Sequence, residues 1–139
     1  MAIIVQADIE AIFGETNVAT WSNLESDSTT ADTDRITWAI ASAEAELANR
    51  MRTGKYAVPL TPTSSHDYEV KNILAKIAGA LLYESRGIRD AQAGGPAADR
   101  IASHKTQAYA AIDMILAGTR SIPYVLKESR PNAVAAVVV

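Results

Sequence analysis

The chain has 139 residues, of which 48% are hydrophobic and 21% charged, an ordinary composition for one globular domain with a single core. It contains no cysteine, which excludes disulfides, a catalytic thiolate and a zinc site built on cysteine. The formal net charge is −3, whereas a protein that holds nucleic acid through phosphate contacts normally carries a positive charge.

The sequence predicts neither a membrane span nor a secretion signal. No uninterrupted apolar run approaches the roughly 20 residues that cross a bilayer. Residues 1–8 lack the basic start and the long apolar stretch of a signal peptide. We therefore expect no membrane partner and synthesis in the cytoplasm.

The spacing of apolar residues in the first 24 positions is helical. One face of residues 7–13 is apolar, and Gly14 then supplies a stop. Residues 16–24 add a further short helical segment. The apolar face of the first helix is formed by Ile9, Ile12 and Phe13.

A polar loop over residues 25–34 leads into the first long helix. We expect this helix over 33–53, capped by Thr33 or Asp34, with apolar side chains spaced four, three, four and four residues apart. This stripe consists of Ile36, Ile40, Ala43, Leu47 and Met51. Trp38 lies off the stripe, so it is a candidate for a second contact face.

A connector with two prolines follows over residues 55–62, where extended backbone is expected. The next helix is predicted over 66–86. Gly79 lies inside it and weakens the helix, which indicates either close approach of another helix or a tolerated defect. After a glycine-rich loop, Pro96 begins a last helix that Gly118 ends. The predicted fold is therefore all-α: a bundle of about four main helices over residues 1–118.

The last region, residues 119–139, is predicted to be an extended C-terminal arm. Four of its final seven residues are valine, which favours a strand. Burying these valines would contribute roughly 6 kcal/mol. Two interpretations stay open: a frayed terminus, or a strand that pairs with a neighbouring chain.

Charge is segregated along the chain. Residues 1–34 contain seven acidic side chains and no lysine or arginine, whereas residues 119–139 contain three basic side chains and one acidic one. This polarity is explained either by solvated surface or by two ends that face different partners.

No catalytic, metal-binding or phosphate-binding motif is present. His66 and His104 lack a second ligand at metal-binding spacing. Glu44 and Glu46 are two residues apart on a helix, so they point to different sides and are more typical of a solvated face than of an acid–base pair. Trp21 and Trp38 are more typical of a core or an interface than of a base-stacking platform.

The order and spacing of four segments are distinctive. They are residues 9–14 (Ile-Glu-Ala-Ile-Phe-Gly), the helix 40–52, the run 52–60 (Arg-Thr-Gly-Lys-Tyr-Ala-Val-Pro-Leu) and residues 77–83 (Ile-Ala-Gly-Ala-Leu-Leu-Tyr). Over about residues 3–118 the chain resembles the phage Mu gp36-like family of small virion proteins and, more broadly, the head-to-tail connector (adaptor) proteins of tailed phages. The valine-rich tail is not covered by this resemblance.

The resemblance implies a structural protein of the virion neck, between capsid and tail, without enzymatic activity or cofactor. Such proteins assemble as a ring, commonly twelvefold, beneath the portal protein and extend the DNA channel. They form the platform for the next connector or tail-completion protein, and DNA passes without sequence-specific binding. An acidic channel wall would suit that passage.

On this interpretation, two sets of residues are expected to be functional. Acidic candidates for the lumen or a subunit boundary are Glu25, Asp27, Asp32 and Asp34. Candidates for contact with the portal or with neighbouring subunits are Trp38, Tyr56, Val58, Pro59, Leu60, Tyr124, Val125, Leu126, Val134, Val137, Val138 and Val139.

Two other functional classes stay open. One is a small helical DNA-binding regulator or a DNA-packaging component, which the net charge and the lack of a basic stripe disfavour. The other is an enzyme whose site carries no recognised motif. Salt-dependent duplex binding by the isolated protein would identify the first.

Overall fold

The computed structural model describes residues 2–23, 30–65, 67–85 and 96–127. These residues form an all-α bundle, as the sequence predicts. It contains α1 (Gln6–Phe13), α2 (Glu15–Ser22), α3 (Thr33–Met51), α4 (Tyr68–Ser85) and α5 (Pro96–Ala117).

The hydrophobic core is centred on α4, against which α1, α2, α3 and α5 all pack. Its side chains come from every helix, and the predicted stripe of α3 is buried along its whole length. This agreement reflects the helical period: residues that recur every three or four positions share the face that meets the neighbouring helix. The largest fully buried side chains include Ile9, Leu47, Met51, Leu74, Ile77, Leu82, Ile112 and Ile115.

Gly79 of α4 lies directly against the side chain of Phe13 at the end of α1. A Cβ atom at this position would lie 2.1 Å from Cε2 of Phe13, far inside van der Waals contact. The ring of Phe13 therefore occupies the space that any other residue would need. Of the two interpretations of Gly79, the structure confirms close helix approach.

The residue that caps α3 is Asp32, which precedes both predicted caps, Thr33 and Asp34. The carboxylate of Asp32 accepts hydrogen bonds from the backbone N–H groups of Asp34 (3.1 Å) and Arg35 (3.2 Å). The N–H of Asp32 in turn donates to Oγ of the buried Ser22, at 2.8 Å. Because these contacts hold both sides of the α2–α3 connection, Asp32 has a structural role as a helix cap.

The segment after α5 is not separate from the helical domain. Residues 122–127 run antiparallel to the connector 55–63, with single bridges between Tyr56 and Leu126 and between Pro62 and Tyr124. Ile122 and Tyr124 are buried in the common core. Residues 122–127 therefore belong with the helical domain and not with a separate arm that starts after residue 118.

The connector pairs with this segment in two parts. Ala57 N–H donates to the carbonyl of Val125, and Val125 N–H donates to the carbonyl of Thr61, at 2.8 and 2.9 Å. Residues 58–60 loop out between these two points, and the Val58–Pro59 peptide bond is cis.

Several predicted features lie outside the described residues. They are the acidic side chains of Glu25 and Asp27, the histidine His66, and the valines Val134, Val137, Val138 and Val139.

Candidate functional site

Two buried tyrosines attach the C-terminal segment to the bundle. The hydroxyl of Tyr124 donates to Oδ2 of Asp67 at 2.8 Å, and both residues are buried. The hydroxyl of Tyr56 accepts a hydrogen bond from the backbone N–H of Ile122 at 3.0 Å. Burial, followed by the hydrogen bond to Asp67, raises the pKa of Tyr124 well above its usual range. Its hydroxyl therefore remains a donor at any physiological pH.

These contacts revise the expected role of the two tyrosines. Tyr56 is 2% exposed and Tyr124 is 4% exposed, so their side chains belong to the interior of this chain. Neither side chain offers surface to a partner while the segment stays in place. The neighbouring Val125 and Leu126, by contrast, are 40% and 55% exposed and retain the expected surface position.

The looped-out residues Val58, Pro59 and Leu60 lie between two shallow depressions. One, of about 430 Å³, also contacts Ile3, Glu44 and Arg52. The other, of about 540 Å³, extends from Ile3 past Thr61 to Asp67 and Lys71. Pro59 is exposed, and Val58 and Leu60 are half-buried, so this loop presents an apolar ridge with a hollow on either side.

Trp38 is an exposed aromatic side chain on α3. Its side chain is 42% exposed, and the guanidinium carbon of Arg35 lies 4.3 Å from its ring centroid. This cation–π contact covers part of the indole ring and leaves the rest of the side chain exposed. The exposure agrees with its predicted place off the apolar stripe. Asp34, one of the acidic lumen candidates, is exposed one turn before Trp38.

Glu44 and Glu46 are anchors of the fold, a role that the sequence pattern does not reveal. A carboxylate oxygen of Glu44 accepts hydrogen bonds from the backbone N–H groups of Ile3 (2.6 Å) and Ile4 (3.2 Å). Glu46 accepts from the hydroxyl of Tyr109 at 2.9 Å. Burial, together with that hydrogen bond, raises the pKa of Tyr109 to about 12.

An aromatic cluster joins α1, α2, α4 and α5. The Phe13 ring meets Trp21 and His104 edge-on at 5.4 and 5.2 Å, and Trp21 meets Tyr83 at 5.3 Å. Burial, and then the charges of Lys76 and Arg100, lower the pKa of His104, so the imidazole is neutral at pH 7. Its Nδ1 atom is buried and has no hydrogen-bond partner in the described part of the chain.

A groove runs between α4 and α5 on the outside of the bundle. Its volume is about 310 Å³, and its floor includes Ile73, Ala108 and Ala111. Met114 borders the groove and is 45% exposed. The sequence pattern does not predict this groove, because the alanines that line it contribute little to an apolar stripe.

The described residues contain no metal-binding cluster: nowhere in 2–23, 30–65, 67–85 or 96–127 do three or more histidine, aspartate or glutamate side chains converge. Within these same ranges, no helix has the length and hydropathy required to cross a bilayer. Comparisons with protein-family models, curated proteins and solved structures gave no match to the chain.

Proposed function

We propose that the protein is a structural subunit of a tailed-phage neck, a head-to-tail adaptor that forms a ring beneath the portal and extends the DNA channel. It acts by assembly and needs no cofactor. Its partners are further copies of itself, the portal protein, and the next connector or tail-completion protein.

The observation that carries this proposal is the amount of apolar and aromatic surface that the bundle leaves uncovered. Trp38 is exposed on α3, Val125 and Leu126 are exposed on the C-terminal segment, and the looped-out residues 58–60 form a ridge beside two hollows. Exposed aromatic and apolar side chains, some of them beside hollows, are compatible with a protein that binds other proteins.

The sequence resemblance supports the same function from an independent direction. Its most specific part, residues 52–60, includes the whole ridge. The fold shows how such a run is used in this chain, because residues 55–57 bind the C-terminal segment while residues 58–60 project from the pairing. The order of these residues is therefore compatible with a contact surface and does not require a catalytic one.

The charge distribution supports passage of DNA without retention. The net charge is −3, and Asp34 is exposed at the start of α3. A wall with this charge repels the phosphate backbone at distances within the Debye length, about 8 Å at physiological salt. It would thus let DNA slide during packaging and ejection.

The proposal is tested by adding the purified protein to purified portal rings of the same phage and measuring the mass of the product by native mass spectrometry or light scattering. We expect a complex in which the number of added subunits is set by the symmetry of the portal. Negative-stain electron microscopy should show an added disc with an open centre.

Two results would contradict the proposal. One is a portal that gains no mass over a range of protein and salt concentrations. The other is tight, salt-dependent binding of duplex DNA by the isolated protein, which would instead favour the DNA-binding regulator or packaging component.

A variant ending at Lys127 tests the contribution of the valine-rich tail, because it keeps every described residue of the fold and lacks the valines. We expect it to bind the portal more weakly than the full chain.

A further inference from the structure

We propose that a second copy of this chain inserts Trp38 into the groove between α4 and α5, so that copies join head to tail. This inference rests on the proposed function and names the contact by which the ring would close. It assigns a role to two surface features that the bundle itself does not explain.

The groove has the form of a receptor for a flat apolar group. Its floor is made of small and branched side chains, and its volume of about 310 Å³ is sufficient for an indole. Its rim is polar: Arg120 pairs with Glu69 at one end, and Lys76 binds Gln107 at 3.1 Å further along. An apolar floor inside a charged rim is the usual arrangement of a protein–protein contact.

Trp38 supplies a flat, exposed aromatic side chain that such a groove could bind. One side of its ring is covered by the guanidinium of Arg35, and 42% of the residue remains open to solvent. Nε of Arg35 is buried and has no hydrogen-bond partner among the described residues. The contact with Arg35 limits the motion of the indole, so less conformational entropy is lost when it is bound.

The two surfaces carry opposite net charge. At the start of α3, Asp32 and Asp34 outweigh Arg35 and leave one negative charge. Around the groove, Lys76 and Arg120 outweigh Glu69 and leave one positive charge. Such complementarity favours this docking over contacts between two like surfaces.

Helix geometry places the groove on a side of α5 that faces away from α3. Tyr109 meets Glu46 of α3, and at 100° per residue Gln107 and Met114 lie about 160° and 140° around α5 from Tyr109. By the same count, Trp38 lies about 160° from the buried Ile36 and Ile40.

Trp38 therefore cannot enter the groove of its own chain. A contact between two copies is heterologous, since different surfaces meet, and its repetition closes a ring or continues as a filament. This is the type of contact that a ring requires.

Cysteine cross-linking tests the contact directly, because the natural chain has no cysteine and every disulfide would come from an introduced pair. Ala41 is exposed one turn after Trp38, and Ala110 is exposed at the groove. We expect a mixture of Ala41→Cys and Ala110→Cys proteins, oxidised at high concentration or on portal rings, to give disulfide dimers that contain one of each. Either variant alone should give few.

The control is Ala102→Cys, which is exposed on α5 outside the groove lining. It should not cross-link to Ala41→Cys. Adding Trp38→Ala to the Ala41→Cys protein should reduce mixed dimers more than tenfold, as removal of an interface anchor does. Lys76→Glu in the groove partner should also reduce them, and Asp34→Lys in the other partner should restore them.

The inference is overturned if mixed dimers do not exceed the control, or if Trp38→Ala leaves their yield unchanged while circular dichroism shows an intact fold. Failure of the proposed function gives a different result. If the wild-type protein adds to portal rings but the cross-link is absent, the adaptor function stands and this contact is wrong. If the cross-link forms but nothing binds the portal, the contact stands and the adaptor function is wrong.

Discussion

The helical bundle and the segment over residues 122–127 are held together by different interactions. The helices associate through apolar side chains that recur every three or four residues, and α4 contributes the largest share of them. The C-terminal segment buries Ile122 and Tyr124 and, in addition, depends on two buried tyrosine hydroxyls and on backbone hydrogen bonds to the connector. Apolar packing tolerates small shifts, whereas a buried polar contact depends on one specific partner.

This difference explains what the sequence could predict. The apolar period is local information, and it predicted the helical class and the stripe of α3, whereas close approach at Gly79 was one of two interpretations that the sequence left open. The tyrosine contacts join residues that are 57 and 66 positions apart, between Tyr124 and Asp67 and between Tyr56 and Ile122. Nothing in the local pattern around Tyr124 indicates Asp67 as its partner, so the segment was predicted to be a free arm.

Removing the segment should have the largest effect on stability. A chain that ends at Ser121 loses the burial of Ile122 and Tyr124, worth roughly 2 kcal/mol each, or about 4 kcal/mol in all. It also leaves Asp67 without its hydroxyl donor. We expect urea unfolding, followed by far-UV circular dichroism, to show this loss.

A chain that ends at Lys127 is the matched control. It keeps every contact described for the segment and should unfold close to the urea concentration that unfolds the full chain. Equal stability of both truncated chains would mean that residues 122–127 do not contribute to the core.

Gly79→Ala tests the apolar side of the comparison. The added methyl would overlap the Phe13 ring, and the resulting strain of about 3 kcal/mol exceeds the roughly 1 kcal/mol gained in helix propensity. We expect a net loss of about 2 kcal/mol in the free energy of unfolding. The double variant with Phe13→Leu should lose less than the two single losses added together, because the smaller side chain makes room for the methyl. Simple additivity would contradict the proposed overlap.

Tyr124→Phe tests the polar side and should have a smaller effect. It leaves the buried Asp67 carboxylate without its hydroxyl donor, at a cost of about 1.5 kcal/mol that the ion pair with Lys71 at 3.8 Å partly offsets. Tyr56→Phe removes only the acceptor for a backbone N–H and should cost about 1 kcal/mol. Thermal unfolding of both variants and of the wild type checks which of the two substitutions lowers the stability more. The opposite order would mean that the contact to Ile122 is the stronger attachment.

The candidate surfaces were predicted in part. The exposure of Trp38 follows from its position off the stripe, and the position of Val125 and Leu126 at the surface agrees with the expected contact residues. The groove was not predicted, because it forms only where two helices lie side by side and leave space over alanines 108, 110 and 111. Sequence periodicity reports which face of a helix is buried, but it does not report where neighbouring helices leave space between them.

The attachment of Lys127 limits how far residues 128–139 can reach from the bundle. Its backbone N–H donates to the carbonyl of Lys55 at 2.8 Å, and its ammonium group donates to the carbonyl of Arg52. Twelve residues follow Lys127, and even a fully extended backbone of that length covers only about 40 Å. Any protein that captures the terminal valines must therefore lie within that radius of the C-terminal end of α3, which confines the search for it to immediate neighbours in the assembly.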